Sequence, residues 1–248
     1  MKYRMIPFQY FNAYMNMALD EAIMEGVRAG TSQPTIRFYG WNPSAVSIGV
    51  FQGIQNEVNL DVAEKTGVDV VRRLTGGGAV YHDIQGEVTY SIIAPLEYFP
   101  VNILSSYETI CDDIIYALGK LGINARFEPV NDLMVGEQKI SGNAQTRRDG
   151  ILLQHGTILY QVDVETMFSL LNVSEQKISD KLIKSVKKRV TGVVDLCNAS
   201  MKELQKVLEA GFTRNKDIEY GDYSEDEITR ASVLASERFS NKDWLFKL

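Results

Sequence analysis

The stretch Arg72-Arg73-Leu74-Thr75-Gly76-Gly77-Gly78-Ala79-Val80-Tyr81-His82-Asp83 sets the tightest limit on what this chain can fold into. Three successive glycines separate a basic pair from a His-Asp pair. Val68 to Val71 before them reads as a buried strand, and Glu87 to Ile93 after them alternates polar and apolar residues as a second strand does. A glycine run between strands gives up about 0.5–1 kcal/mol of backbone order per glycine. Such a run suits a place where a ligand comes close to the main chain. N–H groups can surround an anion such as phosphate there, and Arg72 or Arg73 can add charge. A glycine run alone is more often a flexible hairpin connection; the arginine pair and His82 weigh against that. The glycine spacing matches neither a Walker A loop nor a dinucleotide fingerprint.

Length allows one large domain or two small ones, at 248 residues. A net charge of −6 argues against nucleic-acid binding through a general basic field. The two cysteines, Cys111 and Cys197, are far apart and suggest a reducing compartment. Without a membrane-length apolar run or a signal-peptide core at Met1–Arg4, the expected location is the cytoplasm.

The apolar stripe Met15, Ala18, Leu19, Ala22, Ile23 predicts a helix over 12–26 capped by Asn12, with Asp20 and Glu21 solvated. Strands follow at 35–39 and 45–50, joined by a hairpin loop at Gly40-Trp41-Asn42-Pro43. Arg37 and Trp41 are candidates to line an apolar pocket, though packing is the commoner fate of such a tryptophan. A short helix is expected over 56–65, ended by Gly67. Ser105-x-x-Glu108 reads as a capping box opening a helix whose buried stripe contains Cys111, so that thiol is expected to be inert. Asp163 is placed as the cap of 164–171. Ser174 is placed at the start of a helix over 175–187, with a basic patch of Lys181, Lys184, Lys187, Lys188 and Arg189 that is either a solvated helix end or a docking surface. Two further capping boxes, Ser200-x-x-Glu203 and Ser224-x-x-Glu227, open the last helices, the first closed by Gly211.

A second informative region spans 125–160. Strands are expected at 125–128, 131–135 and 152–160, with Lys139-Ile140-Ser141-Gly142-Asn143-Ala144-Gln145 between. A hairpin that begins with lysine and is threaded by small residues leaves room for a ligand and supplies a point charge. Both histidines of the chain, His82 and His155, fall in these segments. Two histidines without metal-ligand spacing make a weak metal site. There is no recognisable nucleophile elbow. The residues alone point to a nucleotide-dependent transferase or ligase.

Taken together, the RRxxGGGAVYHD loop, Asn131-Asp132-Leu133, the Gly136-x-x-Lys139-Ile140-Ser141-Gly142-x-Ala144 hairpin and His155-Gly156-Thr157 resemble the lipoate–protein ligase A family. Asn16–Ala22 and Ser185-Val186-x-x-Arg189-Val190 add to the likeness, which runs from about residue 10 to the end. The resemblance implies an α+β fold with a mixed, largely antiparallel sheet flanked by helices, like biotin–protein ligase and class II aminoacyl-tRNA synthetase cores. It implies one catalytic domain over 1–248. The implied activity is ATP- and Mg²⁺-dependent conversion of lipoate to lipoyl-AMP, then transfer to a lysine of a lipoyl domain, in a 2-oxoacid dehydrogenase E2 or glycine-cleavage H protein.

On that resemblance Lys139 is the catalytic residue, an ammonium between carboxylate and phosphate. Arg72, Arg73, Gly76, Gly77, Gly78, Ala79, Val80 and Tyr81 bind the nucleotide with Lys139, Asn131 and Asp132, and Asp132 holds Mg²⁺. Lipoate is expected against Lys139, Gly77, His82, Ser141, Gly142, His155, Gly156 and Trp41, with Val46, Ile48 and Val80 lining the tunnel for its apolar end. Many members carry a small C-terminal domain that is missing here, so a separate accessory subunit is expected. The nearest competing reading is an octanoyltransferase of the same fold that works through a cysteine thioester. Neither cysteine lies in a motif segment, which counts against it.

Overall fold

A computed structural model describes residues 2–172 and 189–248. The first helix, α1 (Ala13–Ala29), follows strand β1 (Lys2–Phe11). It starts at Asn12, whose side chain accepts from the Met15 amide, and ends at Gly30 in the left-handed conformation. Strands β2 (Thr35–Trp41) and β3 (Ala45–Ile48) come next, then short helices α2 (Ile54–Glu57) and α3 (Leu60–Thr66). Strands β4 (Asp69–Arg72), β5 (Val80–His82) and β6 (Glu87–Pro95) bracket the glycine loop. Helix α4 (Ile103–Lys120) precedes β7 (Arg126–Glu128), β8 (Asp132–Val135), β9 (Gln138–Arg148) and β10 (Ile151–Leu159). Helices α5 (Val164–Leu170) and α6 (Met201–Thr213), strand β11 (Asp217–Tyr220), α7 (Glu225–Leu234) and α8 (Lys242–Leu245) complete it.

Two sheets result. The larger has the order β11-β1-β2-β6-β10-β9-β8-β7, with β1 parallel to both its neighbours and the other pairs antiparallel. The smaller has the order β4-β3-β5. The mixed, largely antiparallel α+β expectation holds. The expected 35–50 hairpin does not form, because β2 and β3 enter different sheets and Asn42-Pro43 marks the crossing point. Two short helices replace the single one expected over 56–65. Asn102, not Ser105, caps α4, since its side chain takes the Ser105 amide. Gly211 lies inside α6, where a Cβ would meet the Asp113 carbonyl oxygen at 2.3 Å; it allows close packing on α4 rather than ending a helix. The Ser200, Ser224 and Asp163 caps form as expected. The helix expected over 175–187 and its lysines lie outside the described residues.

Strand alternation splits the large sheet into two unlike faces. Phe38, Val88, Tyr90, Ile92 and Leu152 point to one face. They pack there with Cys111, Ile114 and Leu118 of α4 and Leu204, Leu208 and Phe212 of α6. The intervening residues Arg37, Tyr39, Trp41, Glu87, Thr89, Ser91 and His155 are buried but largely polar. They face α1 and the small sheet. Among the described residues no helix is long and apolar enough to cross a membrane.

Candidate active site

The polar face of the large sheet, the small sheet and the glycine loop enclose a cavity of about 320 Å³, within the size range of small-molecule sites. Its walls combine Met17, Tyr39, Trp41, Val80 and Leu159 with a few convergent polar groups. Two of those groups, Arg73 and Lys139, organise the rest.

Arg73 is buried, and each of its five N–H bonds has an acceptor. Nε donates to Thr75 Oγ1 at 3.1 Å. Nη1 donates to the Ser47 carbonyl at 3.0 Å and to Ser47 Oγ at 3.2 Å. Nη2 donates to the Gly76 and Gly78 carbonyls at 2.8 and 2.7 Å. The two carbonyls are thus drawn inward to the guanidinium. Because a trans peptide is planar, the N–H groups of Gly77 and Ala79 then turn the other way. Burial pulls the Arg73 guanidinium down to about 10, which leaves it charged at neutral pH. Gly49 lets this loop come close: a Cβ there would stand 2.1 Å from the Gly77 carbonyl oxygen.

Both hydroxyls held by Arg73 continue to a histidine and then to a carboxylate. Thr75 Oγ1 lies 2.7 Å from His155 Nε2, and His155 Nδ1 lies 3.1 Å from Asp20 Oδ2. Asp20 also accepts from Arg37 at 3.0 Å and from Ser91 at 2.7 Å. Burial pulls His155 down, favouring neutral imidazole. The carboxylate then assigns the proton to Nδ1, and the Thr75 hydroxyl donates to Nε2. Burial alone would raise Asp20, but Arg37 and the His155 and Ser91 hydrogen bonds hold it below its ordinary value. On the other side, Ser47 Oγ lies 2.8 Å from His82 Nε2, and His82 Nδ1 lies 2.7 Å from Glu87 Oε1. Trp41 stacks on the His82 ring at 3.9 Å and donates to Glu87 and Thr89.

Lys139 sits at the start of β9, partly exposed, with Nζ 2.7 Å from Asp132 Oδ1. Its chain lies across Gly142, where a Cβ would meet Cε and Nζ at 2.8 Å. Its backbone is also pinned, donating to the Arg189 carbonyl and accepting from the Thr191 amide. The cation is therefore aimed along the cavity by a carboxylate, a glycine and a strand pairing.

Of the residues singled out in the sequence, the structure brings together Trp41, Arg73, Gly77, Gly78, Ala79, Val80, Tyr81, His82, Asn131, Lys139, Gly142, His155 and Gly156 on the cavity wall. Arg72 is not among them. Its guanidinium is spent on the carbonyls of Gly49, Val50, Gln52, Trp244 and Leu245, so it ties the chain's end to the small sheet. Arg73 has its N–H groups committed to the protein, so it shapes the loop rather than offering the free anion contact expected of it. Gly76 borders the loop without lining the cavity. Ser141 faces away, because alternation sends its neighbour Gly142 inward instead. Val46 and Ile48 pack into the small sheet's own core with Ile54, Val58 and Val70, not into a tunnel. Asp132 is paired with one cation, and among the described residues no group of three or more His, Cys, Asp or Glu side chains is placed to hold a metal ion.

Asp20, expected in solvent, is buried at the centre of the site, and Glu21 is buried against Arg238. Ser47, Thr75 and Glu87 also escaped sequence reading. The usable signals were Asn16 and Asp20 at i and i+4 on α1, both reaching Arg37, and the polar members of the Glu87–Ile93 alternation.

The chain belongs to the family described as the lipoyl protein ligase A/B catalytic domain, which matches residues 12–213. It is therefore an enzyme of the lipoate ligase and transferase group, concerned with lipoate-related protein modification. Among curated proteins it is similar to the octanoyltransferase LipM of Halalkalibacterium halodurans, 34% identical over 94% of this chain and 94% of that one. The protein of the same name from Geobacillus kaustophilus is 32% identical over 99% and 98%. Among solved structures, the bipartite lipoate protein ligase of Thermoplasma acidophilum, studied with its E2 lipoyl domain, is 33% identical. Its TM-score is 0.88, over 99% of this chain and 96% of that one. The two curated relatives correct the expectation of an ATP-dependent ligase: both are octanoyltransferases, matched over nearly their whole length.

Proposed function

We propose that this protein is an acyltransferase that moves an octanoyl group from a thioester on a carrier protein to a lysine of a lipoyl domain. The carrying observation is that a medium-sized, mostly apolar cavity opens beside the Lys139 ammonium in a chain whose matched relatives are octanoyltransferases. An apolar acyl chain is favoured there at about 0.8 kcal/mol per buried methylene. Lys139 would face the thioester carbonyl oxygen. Negative charge grows on that atom as an amine attacks, and a fixed cation stabilises it more than it does the ground state. The glycine-loop amides, turned outward by Arg73, are a second source of positive potential.

A lipoyl-domain acceptor is supported by the Thermoplasma neighbour, which was studied with such a domain. An accessory polypeptide, described there for a bipartite enzyme, is not required by the transferase reading. The test is incubation of the purified chain with octanoyl carrier protein and a lipoyl domain, without ATP, followed by the acceptor's mass. The expected result is a lipoyl domain heavier by one octanoyl group. Acceptor modified only when free octanoate and ATP are supplied would reject the reading.

A further inference from the structure

We propose that Asp20 and Arg37, a buried pair behind the cavity wall, are positioning residues for the transfer and act by fixing His155 and, through it, the glycine loop. The inference rests on the acyl-transfer reading above for its reaction, though not for its geometry.

Neither residue touches the cavity. Arg37 on β2 is fully buried and Asp20 on α1 is 1% exposed, and the wall is formed in front of them by Tyr39, Arg73 and His155. The pair is anchored from the rear. Arg37 Nη1 donates to Asp20 Oδ1 and to the Asn16 carbonyl, both at 3.0 Å, and Nη2 donates to Asn16 Oδ1 at 2.8 Å. Asn16 in turn donates to the Phe11 and Gly40 carbonyls, at 3.1 and 3.0 Å, which ties α1 to β1 and β2. The Arg37 guanidinium carbon lies 4.0 Å from the centre of the Tyr39 ring. One buried cation thus backs two groups of the wall, Tyr39 by its face and His155 through Asp20.

The direction of the hydrogen bonds beyond the pair makes it more than a fastening. Arg73 Nε can only donate, so Thr75 Oγ1 accepts from it at 3.1 Å. The Thr75 hydroxyl gives its own proton to His155 Nε2, 2.7 Å away. With Nε2 accepting, neutral His155 carries its proton on Nδ1 and donates it to Asp20 Oδ2 at 3.1 Å. Every donor points the same way, from Arg73 to Asp20. Such a line needs an end that only accepts, and an ionised carboxylate is one. Arg37 and Ser91 both donate to Oδ1 and keep it ionised where burial alone favours the neutral acid. At the far end of the line, Arg73 Nη2 holds the Gly76 and Gly78 carbonyls at 2.8 and 2.7 Å. The tautomer of His155 is therefore coupled to the direction of the loop amides.

Neutralising Asp20 reverses one link. In Asp20→Asn the oxygen stays with Arg37 and Ser91, so the amide NH₂ faces His155. Nδ1 must then accept and Nε2 takes the proton. The Thr75 hydroxyl now receives two donors and has lost its acceptor. A buried hydroxyl left so is costly, and the strain is relieved by a shift of Thr75 that carries Arg73 and the loop with it.

The chain has two histidines, His82 and His155, so nitrogen NMR of the imidazole rings reads each tautomer separately. Spectra are recorded at neutral pH for the unaltered chain and for Asp20→Asn, beside initial rates of transfer from octanoyl carrier protein to a lipoyl domain. Expected is a His155 proton on Nδ1 in the unaltered chain and on Nε2 in Asp20→Asn, with His82 unchanged. The kcat should fall by about 10- to 100-fold, the scale of a displacement passed on from outside the chemistry, with the donor KM kept within about threefold. Arg37→Gln/Asp20→Asn leaves no unpaired buried charge and gives the same two readouts where Asp20→Asn alone fails to fold. A His155 protonated on Nε2 in the unaltered chain, or a tautomer that switches while kcat holds, would overturn the proposal. No transfer by the unaltered chain would instead reject the acyl-transfer reading, and the positioning role with it, whatever the tautomers show.

Discussion

Lys139 has few structural duties for its side chain. It is partly exposed and its main partner is Asp132, so removing the charge is expected to harm chemistry more than folding. Lys139→Met should lower the transfer rate by about 100- to 1,000-fold, the usual cost of losing one oxyanion partner, with the melting temperature held. Equal losses of both would show a structural residue. His155 should behave in the opposite way. Its folded value lies below the ordinary 6.5, so as the pH falls the unfolded chain takes up this proton first. The stability it supports is complete above about 6.5 and is lost as the pH falls toward the folded value. Thermal melts from pH 8 to 5 should show this loss, and His155→Gln should flatten it. The cation on the hairpin was legible because small residues around a lysine make a pattern. Asp20 was not: a carboxylate beside an apolar stripe normally reads as solvated, and only the buried Arg37 reverses that.

Elements decide how finely those side chains are held. Gly142 is the seat of the Lys139 chain, and the atoms a Cβ would meet belong to that flexible side chain. Gly142→Ala should therefore leave stability within about 0.5 kcal/mol while displacing the ammonium and lowering the rate. Unchanged rate would show that the lysine needs no seat. Gly49→Ala differs, because its Cβ would meet the Gly77 carbonyl on the backbone. It should shift the glycine loop and destabilise the chain measurably in denaturant titration. Periodicity and capping made most elements readable, as at Asn12, Asp163, Ser200 and Ser224. Sheet membership was less readable. Nothing in 35–50 says that the second strand leaves for another sheet, since that depends on pairing with Asp69–Arg72 and Val80–His82. Ser47 is placed opposite the polar face only through that departure.

At the level of the whole molecule, the chain's ends are fastened by buried charge. Arg4 of β1 donates to both Glu227 oxygens, at 2.8 and 2.6 Å, joining β1 to α7, and Arg72 holds the Trp244 and Leu245 carbonyls. Arg4→Met leaves Glu227 without its cation in a buried setting. It should cost about 3 kcal/mol, read as a shifted denaturant midpoint; no shift would mean the carboxylate is served by Ser32 and Ser224 alone. Function at this scale was the least legible. The matched relatives include a lipoate protein ligase and octanoyltransferases alike, so the fold by itself does not separate the two activities. The most direct test is a crystal structure with a non-transferable octanoyl thioester analogue. The acyl chain is expected within the cavity between Trp41, Tyr39 and Val80, with its carbonyl oxygen hydrogen-bonded to Lys139 Nζ. An analogue bound elsewhere, or bound there with its carbonyl turned away from Lys139, would contradict that placement.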